Sequence, residues 1–309
     1  MSNGVRPRPS VAAVMLAASL LVGACADRSP SRPTAAQLDA SITVASFNFG
    51  ESALLGELYA QALADAGFPV DRQLRLGARE IVQPALLQGR VDLVPEYLGS
   101  ALAFLAPDEP RLRDPLAART VLEDVYRGHD VTVLSPAPGQ NRNGFVVRRE
   151  TADELGLRSL SDLVPVAPDL TFGGPPECPE RPLCLAGLEQ VYGLEFAAVE
   201  ALDSGGPLTL AALSAGRVDV ALLFTTNGAL AGGDLRLLDD DRGLQPAENV
   251  VPVLRSAIVA RHGPEVAEAI DRVTERLDES TLVGLNRRLD RGERLGAVAA
   301  GWLASQGVG

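Results

Sequence analysis

Histidine, aromatic side chains and positive charge are all scarce in this chain of 309 residues. There are two histidines, His129 and His262. They leave little imidazole for acid–base catalysis, although carboxylates could serve. No Gly-x-Ser-x-Gly elbow, His-Glu-x-x-His pair or Walker-type loop occurs, so an enzyme is not expected. Aromatics make up only 4% of the residues, and each one near a pocket therefore carries more weight. Twenty-eight Lys and Arg face 40 Asp and Glu, a formal charge of −12. That balance argues against a nucleic-acid partner, because phosphate binding needs basic surface. It also gives little attraction to anionic lipid. The apolar run at residues 11–22 is too short for a comfortable membrane span.

That run follows Arg6 and Arg8, and ends in Leu21-Val22-Gly23-Ala24-Cys25. Residues 1–24 read as a signal peptide whose end resembles a bacterial lipobox, with Cys25 as the lipidated residue. An ordinary secretory signal with an incidental cysteine is the other reading, and in both the protein leaves the cytoplasm. Residues 25–41, rich in Pro, Ser and Ala, read as a tether. The expected location is the extracytoplasmic face of the bacterial cell membrane. Cys178 and Cys184 remain in a Pro-rich loop. In an oxidising compartment such a pair reads as a disulfide. Closing so short a loop stabilises by about 2 kcal/mol in the chain-entropy model. Two cysteines are too few ligands for a metal site, so no metal or other cofactor is expected.

At this length the chain can form two domains or one large one. Strand patterns at 42–49, 70–76 and 91–94 alternate with helical ones at 52–66 and 79–88, which Gly67 and Gly89 stop. The βαβαβ order points to a mostly parallel sheet with right-handed crossovers. A helix at 115–128 and a strand at 131–134 leave this unit. The middle of the chain repeats the plot, with strands at 144–147, 170–172, 196–201 and 218–224 and helices at 184–192 and 208–215. Returning strands at 235–238 and 250–258 precede helices at 264–277, 280–289 and 293–305. Arg90-Val91-Asp92-Leu93-Val94 after Gly89 and Arg217-Val218-Asp219-Val220-Ala221 after Gly216 read as matching positions in two lobes, unless two common junctions coincide. The first junction runs on into Pro95-Glu96-Tyr97-Leu98-Gly99-Ser100. An acid and an aromatic lie side by side there, at a corner after the strand. Ligands of open α/β sheets sit at such strand ends, so this reads as one wall of a pocket.

Ser46-Phe47-Asn48-Phe49-Gly50-Glu51-Ser52, Leu76-Gly77-Ala78-Arg79-Glu80 and residues 91–100 resemble the first lobe of the glycine betaine/choline/osmoprotectant substrate-binding proteins of ABC importers. Pro136-Ala137-Pro138 with Asn141, Phe172-Gly173-Gly174-Pro175-Pro176-Glu177, Thr226-Asn227-Gly228 and Leu285-Asn286 continue the series in order. The resemblance covers essentially residues 42–307. It implies an α/β, two-lobed type II periplasmic-binding-protein fold, each lobe a mixed sheet flanked by helices. Lobe 1 would be 42–135 plus 236–309 and lobe 2 136–235. The two hinge crossings would lie near 134–141 and 224–237, and ligand would close the lobes over itself. The implied function is a lipid-anchored, monomeric receptor delivering a small zwitterionic or cationic amine to an ABC importer permease. The alternatives are the same fold binding a non-quaternary amine or amino-acid-like ligand, or a sensing or envelope role without transport.

A quaternary ammonium donates no hydrogen bond and is held by aromatic faces. A carboxylate at its other end is held by a forked Arg. Tyr97 matches the family's tyrosine after Pro-Glu and is expected as a cage wall, or else caps the lobe core. Arg181 matches an arginine that in relatives binds the substrate carboxylate, or else is a solvated loop Arg. The chain departs from the family pattern at Asn143, Phe224 and Glu248, which stand where relatives carry tyrosines, so the aromatic box looks incomplete. Glu248 could pair with a cation or accept from N–H and O–H groups, which suits a polar or protonated amine, or else is an exposed loop acid. Ser52 at the first turn of its helix could face the cleft or be a plain N-cap. Asn141 and Thr226 complete the expected ligand set. No catalytic residue is expected.

Overall fold

Strand β1 (Ile42–Phe47) is buried along almost its whole length and crosses to β2 (Val70–Gly77) through helix α1 (Gly50–Asp65). The computed structural model describes residues 41–308 together with Met1, Ser2 and Gly4. The leader and Cys25, and all of the tether except residue 41, lie outside the described residues. No described helix is long and apolar enough to cross a membrane. Helix α1 is buried on nearly every side because it lies between the sheet and the last helices, α9 (Glu265–Thr274) and α11 (Leu295–Gln306). Such burial suits its Ala- and Leu-rich sequence. Helix α2 (Arg79–Leu87) leads to β3 (Leu93–Tyr97), which is parallel to β1.

The sheet is completed by β4 (Val131–Val133) and the returning β10 (Val250–Arg255), in the order β2-β1-β3-β10-β4. Strand β10 runs antiparallel to both neighbours. The second sheet contains β5 (Asn143–Arg148), β6 (Thr171–Gly174), β7 (Ala198–Ala201), β8 (Val220–Phe224) and β9 (Leu235–Leu237), in the order β7-β6-β8-β5-β9. Its plan is the same: three parallel strands, one antiparallel strand and a short edge. The two lobes have separate apolar cores.

The repeated junction is a structural equivalence. Gly89 and Gly216 adopt φ of 69° and 71°, left-handed values that favour glycine as a helix stop. After them, Arg90 N donates to Ala85 O at 2.8 Å and Arg217 N to Ala212 O at 2.9 Å. Asp92 accepts Thr43 N–H at 2.9 Å, and Asp219 accepts Thr171 N–H at 3.0 Å. Arg255 and Arg148, at matching ends of the antiparallel strands, pair with those two aspartates.

Two expectations change. Pro95, Glu96 and Tyr97 form no corner: they belong to β3, and α3 (Leu98–Leu105) starts directly afterwards. A proline fits in this central strand because Pro95 faces Pro252. The flanking bonds Leu98 N to Asn249 O and Arg255 N to Asp92 O set the alternation and make that a non-hydrogen-bonded pair. Neither proline therefore lacks a donor its partner needs. The second change concerns the lobe boundary. Leu235–Leu237 pairs with β5, and Leu238 and Leu244 pack into the second core. The return crossing thus follows Leu244 rather than lying at 224–237. Gly99 permits it: a Cβ there would stand 2.9 Å from Ala247 O, where the returning chain meets the start of α3.

Candidate functional site

The carboxyl ends of strands from both lobes meet between the two sheets. β1 runs out into Asn48-Phe49, β3 ends at Tyr97, and β8 ends at Phe224. Phe49 sits at the centre of the rings, with its centroid 4.8 Å from Phe224 of the other lobe and 6.0 Å from Tyr97. Phe47 stacks on it at 6.1 Å. A cavity of about 400 Å³ is lined by these four rings and by Phe104, with Asn141, Asn143 and Arg181 also on its walls. That volume is the size of a small-molecule site. A second cavity of about 390 Å³ lies along the cleft and shares Phe49 and Phe224 as a partition.

Two buried carboxylates hold the Tyr97 wall. Glu96 is fully buried and accepts Arg79 Nε at 3.0 Å, Arg79 Nη2 at 2.9 Å and the Tyr97 N–H at 2.9 Å, with Gln83 as a further donor. Arg79 also lies over the Phe47 ring, 4.7 Å from its centroid. Glu51, on the first turn of α1, accepts the Tyr97 hydroxyl at 2.8 Å. Burial, and then the charge and hydrogen bond of Glu51, push the Tyr97 hydroxyl well above the ordinary phenol range. Asn141 Nδ2 donates to the same carboxylate at 2.7 Å, while Asn141 Oδ1 is buried without a partner. Asn141 lines the cavity, so this unpaired acceptor belongs to its wall.

Arg181 is held across the cleft. Its Nη2 lies 3.0 and 2.9 Å from the two oxygens of Glu80 on α2, and 3.3 Å from Glu177 of its own loop. Burial pushes the Glu80 carboxyl up, but its backbone N–H and the charges of Arg181 and Arg79 outweigh that and hold it below the ordinary range. The loop is closed by the Cys178–Cys184 disulfide, directly before α6 (Leu185–Tyr192).

The cavity brings together Tyr97, Asn141, Asn143, Phe224 and Arg181 of the expected set. Asn143 spends its amide N–H on Leu183 O at 3.0 Å. Thr226 lines the second cavity and donates to Glu51 at 2.6 Å. Glu248 and Ser52, also expected at the ligand, line neither cavity. The Ser52 hydroxyl accepts the Phe47 N–H at 2.9 Å and fixes the turn between β1 and α1. Glu248 supplies the cap that α3 lacks locally: it accepts the Ser100 N–H at 3.1 Å and the Ser100 hydroxyl at 2.6 Å. A carboxylate at a helix N-terminus is favourable on both hydrogen-bond and dipole grounds.

Glu248 carries a pH prediction. Burial raises its pKa from 4.5 to about 7, against the pull of Ser100 and Arg79. The native state then binds this proton more tightly than the unfolded chain. Its contribution to stability is complete below the unfolded value and is lost as pH rises towards 7. A gap of that size is worth roughly 3 kcal/mol. Between pH 5 and 8 the wild type is therefore expected to lose more stability than Glu248→Gln, which keeps the acceptor for Ser100. Urea melts across that range check this, and parallel pH profiles would contradict it.

Phe49, Phe104, Glu51 and Glu80 were not among the expected site residues. The strand-end rule that singles out Tyr97 also applies to Phe47-Asn48-Phe49. Ser100, Ala103 and Phe104 lie on one face of α3 at helical spacing, and all three line the cavity.

Residues 40–305 match the family described as the substrate binding domain of ABC-type glycine betaine transport system. A glycine-betaine-binding protein of Pseudomonas aeruginosa is 30% identical over 251 residues, 78% of this chain and 80% of its own. The glycine betaine-binding protein YehZ of Escherichia coli K12 is 28% identical over 83% of this chain and 88% of its own. A crystal structure described as a glycine betaine/carnitine/choline ABC transporter superposes with a TM-score of 0.68 at 25% identity, covering 86% of this chain and 99% of that one.

Proposed function

We propose a ligand and an anchor for this chain, which belongs to the family of substrate-binding domains of ABC-type glycine betaine transport systems. It is the substrate-binding component of a betaine/choline-type ABC importer, a solute-binding rather than an enzymatic family, and acts outside the cytoplasm. Its ligand is a small amine with a cationic head, delivered to the importer's permease. The head sits against Tyr97, Phe49 and Phe224, and any carboxylate on the ligand turns towards Arg181. The observation that carries this reading is the convergence of those three rings, from two lobes, on one cavity of about 400 Å³. Each cation–ring contact is worth roughly 0.5–2 kcal/mol. The names of the Pseudomonas and Escherichia relatives support the same chemistry.

A non-quaternary amine is the second reading. The buried, unpaired Asn141 Oδ1 favours it, because that oxygen suits a ligand that donates a hydrogen bond. Arg181 is already met by Glu80 and Glu177, so a ligand carboxylate must compete with two acids.

Thermal shift and calorimetry against glycine betaine, choline, carnitine, ergothioneine and amino acids separate the readings. A hundredfold excess over Kd stabilises by about 2.7 kcal/mol. A shift with a quaternary amine supports the first reading. A shift confined to primary amines or amino acids removes it and retains the second. The anchor is the lipid on Cys25, motivated by the lipobox-like segment at residues 21–25. Cys25→Ala should release the protein into the medium, and retention on cells would contradict the anchor.

A further inference from the structure

Glu51 is a buried carboxylate whose four hydrogen-bond partners come from four different segments. Its Oε1 accepts the Tyr97 hydroxyl at 2.8 Å and Asn141 Nδ2 at 2.7 Å. Its Oε2 accepts the Thr226 hydroxyl at 2.6 Å and Asn286 Nδ2 at 2.6 Å. Tyr97 ends β3 of lobe 1, and Asn141 lies on the first crossing. Thr226 follows β8 of lobe 2, and Asn286 lies on α10 (Glu279–Asp290). Asn286 also donates to the Thr226 carbonyl at 3.2 Å, so α10 and lobe 2 meet at this carboxylate.

A carboxylate has about four acceptor positions, and all are taken here. Glu51 therefore has no free lone pair for a ligand, and none of its four donors is charged. Two consequences follow. A phenol that donates to a carboxylate is polarised, and its ring becomes more negative towards a cation. Separation of the lobes withdraws at least Thr226, and exchanging that charge-assisted bond for water disfavours the open form.

We propose that Glu51 is the positioning residue that couples the aromatic wall at Tyr97 to lobe closure, tuning that ring for a cationic ligand without touching the ligand itself. The inference rests on the amine-binding reading of the cavity. Coupling of this kind is reciprocal: a ligand that settles on Tyr97 stabilises the closed lobes, and closure fixes the ring.

The test compares wild type, Glu51→Gln, Tyr97→Phe and the double variant, by calorimetry with choline and glycine betaine and by solution scattering with and without ligand. Glutamine places an NH2 against two of the four donors, so the network re-forms only if the Tyr97 or Thr226 hydroxyl turns to accept, and no hydroxyl then donates to a carboxylate. Glu51→Gln and Tyr97→Phe are each expected to weaken binding about tenfold, on the scale of a hydrogen bond to a charged group. The double variant should bind no worse than the weaker single, because both remove one unit. Ligand-free Glu51→Gln should show a larger radius of gyration than wild type while circular dichroism shows both fully folded, because unfolding alone would also expand the chain. Thr226→Val removes one donor at nearly constant shape, and should show smaller changes of the same sign even if Glu51→Gln fails to fold.

Affinity of Glu51→Gln within twofold of wild type, or losses that multiply in the double variant, would overturn the proposal. An unchanged radius of gyration in ligand-free Glu51→Gln would also overturn it. Failure of wild type to bind either amine would overturn the ligand reading instead, and the ligand-free scattering would still decide the coupling.

Discussion

Tyr97→Ala is expected to weaken binding of a quaternary amine at least tenfold, or about 1.4 kcal/mol. The ring is 4% exposed, stands 6.0 Å from Phe49, and forms part of the cavity wall. Truncation removes one cation–ring contact and opens the wall to water. It also deprives Glu51 of one of its donors. Truncating a buried aromatic costs stability as well, on the order of 3–5 kcal/mol. Calorimetry should therefore be run well below the melting temperature, with circular dichroism confirming the fold. Tyr97→Phe separates the two contributions, since it keeps the ring and removes the hydroxyl. Unchanged affinity in Tyr97→Ala would remove Tyr97 from the ligand site.

Arg79→Met should have a large effect on the fold. It leaves Glu96, which is 0% exposed, as a buried carboxylate without its bidentate partner. Removing one member of such a pair typically costs about 3–5 kcal/mol. For a chain of this size that lowers Tm by on the order of 10 °C. Methionine replaces most of the aliphatic stem, so the loss reports charge and hydrogen bonds more than volume. Adding Glu96→Gln should recover much of the loss, because the uncompensated charge is gone while Gln83 and the Tyr97 N–H retain an acceptor. A single variant as stable as wild type would show that the pair does not hold the strand end beneath Tyr97.

The fold was legible because its signals are local. Gly89 and Gly216 stop helices, and Asp92 and Asp219 begin the same hydrogen-bond pattern in each lobe. The lobe boundary was not legible because Leu235–Leu237 is three residues long and is assigned only by its pairing with β5, some 90 residues earlier. Within the site, Tyr97 could be read from its place after a strand, and Phe224 from the family resemblance. Glu248 could not, since its direction is set by the free N–H groups of α3, 148 positions away. Glu51 and Glu80 escaped notice for the same reason. Their partners Thr226 and Arg181 lie 175 and 101 positions along the chain and meet them only when the lobes face each other.

These long-range contacts also decide how the site selects. Phe49 and Phe224 touch across the cleft, and Arg181 reaches Glu80 across its mouth. A ligand that spreads the rings or displaces Glu80 changes the same contacts that hold the lobes together. On the proposed reading, ligand recognition and closure are one process in this molecule.

Native mass spectrometry of the protein purified from its host, followed by denaturing release of whatever the cleft retains, tests the central claim most directly. The account predicts a small cationic or zwitterionic amine, bound one per chain in wild type and lost in Tyr97→Ala. A neutral or purely anionic solute retained equally by both proteins would contradict it.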